Sequence, residues 1–131
     1  MTIAIADVCT DGDLADEIGG PAQLAELIPD DWDGSAEQAR QKALNDVLAA
    51  LASRKPPIFS SSLYDVTELN RPVVYGALTR LYRFAKTSPD DIFASHHKEF
   101  SKLYASTLAG LNPTLITGEQ AAPLSVAFHR R

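Results

Sequence analysis

The stretch Glu68–Lys86, ELNRPVVYGALTRLYRFAK, decides the fold. At about 100° per residue, Val73, Val74, Ala77, Leu78, Leu81, Phe84 and Ala85 fall within an arc of about 140°, and Tyr75 and Tyr82 widen it to about 200°. Gly76, Thr79, Arg80, Arg83 and Lys86 lie opposite. A surface helix needs an apolar stripe of only about 100°. The spacing therefore predicts a central helix, opening near Asn70 to Pro72, packed on two sides and carrying a narrow basic strip. Its tyrosines belong to the packed side or its border, apart from the arginines.

Upstream, Ser35 with Gln38 three residues on makes a capping-box pattern. Ala39, Ala43, Leu44, Val47, Leu48 and Leu51 then recur at helical spacing, and Pro56 and Pro57 stop the helix near Ser53 to Lys55. The segment PPIFSSSLYDVTEL between these two helices is a loop or short hairpin, long for a connection in a small domain. Downstream, Ser88 is the expected N-cap of a third long helix, with Pro89 in its first turn and Asp90 and Asp91 at the positive end of its dipole. Ile92, Phe93, Phe100, Leu103, Tyr104, Thr107 and Leu108 share its apolar face, and Gly110 closes it.

The first third is punctuated by glycine and proline. A short helix runs from Thr10–Gly12 to about Ile18, stopped by Gly19 and Gly20, and Pro21 opens another, PAQLAELI. The acidic loop PDDWDGS follows, with Trp32 expected to lie as a lid on the edge of the core. The expectation is an all-α fold: a small helical bundle of three longer helices plus one or two short N-terminal helices, with a long inter-helix loop and an extended C-terminal arm. Residues 1–110 form the bundle domain and residues 111–131 the arm. TLIT and LSVAF within the arm have strand character. Leu124, Val126 and Phe128 are too apolar for a free tail and should bind something, either their own domain or a partner by strand addition.

The 131 residues are 45% apolar and 22% charged, with a net charge of −5. That balance suits one modest core and lacks the basic footprint of a dedicated nucleic-acid binder. The charge is unevenly placed. Residues 1–37 hold ten acids and no Lys or Arg, whereas the other seven acids and all twelve bases follow. Such a division suits a solvated acidic face, subunits packing acid to base, or a surface turned toward something that must not stick. No stretch approaches the roughly 20 apolar residues of a membrane span, and MTIAIADVC is no secretory leader, so a soluble protein made in a cytosol is expected.

Chemistry is not expected. Cys9 is alone and reads as a small buried hydrophobe. His96 and His97 project about 100° apart on one helix, which makes a shared metal awkward, and no HExxH, phosphate loop, GxSxG or calcium loop occurs. Neither a catalytic residue nor a metal or cofactor is anticipated. Arg80, Arg83 and Lys86 could meet phosphates, but no short helix and tight turn precede them at helix-turn-helix spacing. Contacts with another subunit suit the strip better.

The order of features resembles a known family. DGDLADEIGG, a capped alanine-rich helix ending LAALASRKPPIF, DVTELNRPVVYGALTRLYRFA and FSKLYASTLAGL together resemble the head-tail connector proteins of tailed bacteriophages, also called adaptor, neck or head-completion proteins. The likeness spans roughly residues 7–118, and its most family-like residues are Leu69, Asn70, Arg71, Val74, Ala77, Leu78, Arg80, Leu81 and Tyr82. The PDDWDG loop and the VAFHRR end have no counterpart in that pattern.

The resemblance implies a structural virion protein. It would form a ring, commonly dodecameric, on the portal, extend the DNA channel, and offer a platform to the tail, stopper or tail-terminator protein. DNA would pass without sequence-specific binding, and the protein would be assembled in the host cytoplasm and reside in the neck of the virion. Carried over, Leu115, Ile116, Leu124, Val126, Phe128, Arg130 and Arg131 belong to a portal-docking arm. The loop holding Ile58 and Phe59 would make inter-subunit contacts, and ring packing would give Arg80, Arg83 and Lys86 an adjacent subunit to meet and turn Asp11, Asp13, Asp16, Glu17, Asp30, Asp31 and Asp33 toward the lumen or a basic partner. The alternative is a small helical protein-protein interaction module or regulator without catalytic activity.

Overall fold

The structure, a computed structural model, describes residues 3–85 and 92–116. Within them the chain is all-α: α1 (Ile5–Val8), α2 (Asp11–Ile18), α3 (Pro21–Leu27), α4 (Glu37–Ala52), α5 (Asn70–Ala85) and α6 (Ile92–Ala109). Short 3₁₀ turns at Asp30–Trp32, Ser60–Ser62 and Val66–Leu69 fill the connections. The expected small helical bundle forms, with one more short helix at its start. The turn at Ile5–Val8 gives too few residues for a helical period, and it is held by burying Ile5 and Val8.

Helix α5 is the centre, packed against α4 on one side and α6 on the other. Val73, Ala77, Leu78 and Leu81 are fully buried, and Tyr75 and Tyr82 nearly so. The two tyrosines stand two turns apart and both stack on Phe100 of α6, with ring centroids at 6.0 and 5.6 Å. Aromatic pairs at this spacing add about 0.5–1.5 kcal/mol each beyond their burial.

Two residues of α5 depart from the wheel. Gly76, expected on the wet side, is buried where the three long helices come closest. A methyl group placed there would lie 3.0 Å from the Tyr104 ring and 3.2 Å from Ala43 Cβ. The helix is packed closely on both flanks, so its covered arc is wider than its apolar stripe, and a side chain at this seam would have to push Tyr104 or Ala43 aside. Phe84, expected inside, is 59% exposed. It lies on the last turn of α5, and its ring meets the edge of Trp32 at 5.7 Å. Trp32 is half-buried against the core edge, as a lid would be.

The start of α4 also differs from expectation. The Ser35–Gln38 capping box does not form; the helix begins at Glu37 behind Ala36, and Ser35 Oγ accepts only from the Glu37 amide. Instead, the Asp11 carboxylate reaches across from α2 to accept from the Ala36 amide at 3.2 Å. The other carboxylate oxygen accepts from Arg40 Nε at 2.8 Å, and Arg40 Nη1 donates to the Cys9 carbonyl at 2.7 Å. A tertiary carboxylate has displaced the local serine because it satisfies a buried guanidinium in the same position.

Helix α2 opens where expected, and a capping box between Thr10 and Asp13 closes its start. Gly19 and Gly20, at φ 109° and 138°, turn the chain into α3 through conformations that side chains resist. The Ser88, Pro89, Asp90 and Asp91 cap lies outside the described residues. At its other end α6 stops at Ala109 with Gly110 just beyond, its amide donating to the Ser106 carbonyl.

Candidate interaction surface

The alternation of α4, α5 and α6 brings the end of α4, the start of α5 and the end of α6 to one pole of the bundle. The loop 56–69 lies there, and so does the chain that leaves α6. Residues 111–116 are not free of the bundle. Arg54, just past α4, donates from Nη1 to the Leu111 carbonyl at 2.7 Å and from Nη2 to the Leu108 carbonyl at 2.9 Å. The Leu108 carbonyl belongs to the last turn of α6 and also accepts from the Leu111 amide, and a guanidinium there meets the negative end of the helix dipole. Glu68 accepts from both the amide and the hydroxyl of Thr114, at 2.7 and 2.9 Å. Leu63 and Leu115 then form an antiparallel bridge, with Tyr64 donating to Thr114 and Ile116 donating to Ser62.

This clamp sorts the residues expected at the loop and the arm. Ile58, assigned above to inter-subunit contact, is 5% exposed and belongs to the chain's own core; its amide is tied to the Leu51 carbonyl. Leu115 is half-buried against the same core, so it seats the start of the arm on the bundle. Phe59, Tyr64 and Ile116 are the outward members, 56%, 71% and 63% exposed. Arg54 and Glu68 were not legible in advance. Each is a lone charge beside a helix, and its partners lie 57 and 46 residues away in the chain. Leu124, Val126, Phe128, Arg130 and Arg131 lie outside the described residues.

The basic strip is divided. Arg80 is paired within the chain to Asp46 of α4, on a partly exposed surface. Arg83 is exposed on the last turn, and Lys86 lies outside the described residues. The acidic third is divided as well. Asp11 and Asp13 serve the fold: Asp13 closes the α2 capping box and accepts from the side chain of Asn70, which also donates to the Val8 carbonyl. Asp16, Glu17, Asp30, Asp31 and Asp33 are exposed.

A groove of about 430 Å³ runs between α2–α3 and α5–α6. Tyr82 and Phe100 form its floor, Ile18, Leu27, Phe93 and Leu103 flank it, and Glu17, Glu26 and Glu99 stand around it with no Lys or Arg in the lining. His96 lies in the groove against Tyr82, ring centroids 5.1 Å apart. Burial, and then the nearby Glu99 carboxylate, hold the Tyr82 hydroxyl above its usual pKa. Cys9 is fully buried, and burial followed by the Asp13 charge pushes its thiol up to about 12. A thiol so placed is a packing group and a poor nucleophile.

Among the described residues no group of three His, Cys, Asp or Glu is placed to hold a metal ion, and no helix is long and apolar enough to cross a membrane. Comparisons with protein families, curated proteins and solved structures gave no match for this chain.

Proposed function

We propose that this chain is a structural virion protein: a head-tail connector that assembles as a ring on a portal, extends the DNA channel and offers a platform to the tail or stopper. The observation that carries the proposal is the pole at which the C-terminal chain leaves. There Phe59, Tyr64 and Ile116 hold large apolar surface in solvent, while Arg54 and Glu68 anchor the root of the departing segment. Exposed apolar groups gathered beside a rigidly rooted arm are the marks of a surface that is completed by other subunits. The connector-like pattern of the sequence supplies the identity of those subunits, namely further copies of the chain, the portal, and the tail-side protein.

In this proposal residues 117–131 reach the portal, Phe59 and Tyr64 meet a neighbouring copy, and Arg83 with Lys86 faces acids of that neighbour. Asp16, Glu17, Asp30, Asp31 and Asp33 line the lumen or oppose a basic partner, since an acidic channel wall would not hold DNA phosphates. The proposal places the protein in the virion neck after assembly in the host cytoplasm. Electron microscopy of the purified chain mixed with its candidate portal tests it. An added ring of density on the portal is expected, lost with Tyr64→Ser; free portal beside unassembled chain overturns it.

A further inference from the structure

The groove combines an apolar floor with a rim of carboxylates, and the sequence contains an apolar segment with a basic end. From Phe93 to Leu103 the groove follows α6 for ten residues, about 15 Å at the helical rise. Leu124, Val126 and Phe128 alternate in the sequence. In an extended chain they share one face and span about 13 Å. Arg130 and Arg131 follow immediately, opposite in sign to Glu17, Glu26 and Glu99, which no cation pairs with among the described residues.

Reach favours the chain's own segment over that of a second copy. Ile116 is held at the α6 C-terminal pole, and the near end of the groove, at Leu103, lies six residues before Ala109, the end of α6, about 9 Å along the helix. The eight steps from Ile116 to Leu124 extend to about 26 Å. A tether of that length gives an effective concentration in the millimolar range, well above that of another subunit in dilute solution.

We propose that in the free protein residues 124–128 of the same chain lie along this groove, with Arg130 and Arg131 against its glutamates. The docked segment covers Tyr82 and Phe100 and hides its own three apolar side chains, so a partner that takes the arm must first displace it from this site. The docking stands on the groove and the segment alone and holds whether or not the partner is a portal.

Disulfide trapping in the full chain tests it. Ala127→Cys is paired with Gln23→Cys at the groove edge, or with Lys42→Cys on the exposed face of α4 as control, and oxidised at micromolar concentration. Neither substitution removes a floor residue or a rim charge, and Cys9 is buried. An intrachain crosslink is expected with Gln23→Cys, formed at least tenfold faster than with Lys42→Cys. Adding Phe128→Ser, or Arg130→Glu with Arg131→Glu, should slow it at least fivefold. Equal rates at the two positions overturn the proposal, as does a crosslinked dimer as the main product, which would make a second copy the occupant. No portal enters this experiment, so its failure and the failure of ring assembly are separate results.

Discussion

Arg40 on α4 and Asp11 at the head of α2 meet at 2.8 Å, and the same carboxylate receives the amide of Ala36. One side chain thus closes a buried guanidinium and orients the start of the first long helix. Replacing Asp11 with Ala leaves Arg40, 8% exposed, with only the Cys9 carbonyl. Removing one partner of a buried pair costs about 3–5 kcal/mol, and the partial exposure of Asp11 lowers the expectation to about 2–3 kcal/mol. Urea denaturation should show that loss. Ser35→Ala, at the position the sequence offers as the cap, should cost less than about 1 kcal/mol.

Gly76 sits where α4, α5 and α6 touch, and any Cβ there presses on Tyr104 and Ala43. Gly76→Val should destabilise by about 2–3 kcal/mol through overpacking, beyond any gain in helix propensity. If thermal melting showed a variant as stable as the parent, the close approach of the three helices would be wrong.

The Cys9 thiol stays protonated in the folded chain up to about pH 12, whereas in the unfolded chain it ionises near its ordinary value of 9.0. The folded state therefore holds its proton more tightly, and the contribution to stability is full below about pH 9 and lost as pH rises from about 9 toward 12. Cys9→Ala should abolish that part of the alkaline fall, measured by denaturation at pH 8 and pH 10.5. At pH 8 the native thiol should also resist alkylation that the urea-unfolded chain undergoes readily.

Arg54 and Glu68 hold the root of the arm by two hydrogen bonds each. Hydrogen bonds to charged groups are worth about 1.5–3 kcal/mol. Glu68→Ala should speed amide exchange at Thr114, Ile116 and Tyr64 by tenfold or more while leaving Leu78 and Leu81 protected. Uniform acceleration across α5 would show that the clamp serves the whole bundle and has no separate role at the arm.

Arg80 and Arg83 should behave differently despite their shared strip. The Arg80–Asp46 pair is partly exposed, and reversing Arg80 to Glu should cost less than about 1 kcal/mol. Arg83, exposed at the end of α5, is the cleaner probe of the proposed ring. Arg83→Glu should weaken assembly on the portal in sedimentation without shifting the melting temperature. Unchanged assembly would remove the strip from the subunit contact.

Period and punctuation determined the bundle. The repeat of apolar residues in 68–86 was enough to make α5 central and to turn Tyr75 and Tyr82 inward, because a helix buries whatever recurs every three to four residues. Proline and glycine placed the breaks for an equally local reason, since they constrain or free the backbone at their own positions. Tertiary structure alone decided the features that depend on distant partners. Gly76 became a seam because Tyr104 and Ala43 arrive there from other helices. Ser35 lost the cap to Asp11 because a buried arginine lay one turn into α4. Arg54 and Glu68 became the root of the arm because the end of α6 folds back to the pole where α4 ends and α5 begins. A charge beside a helix carries no period that names its partner, and only the packing of the helices brings the two together.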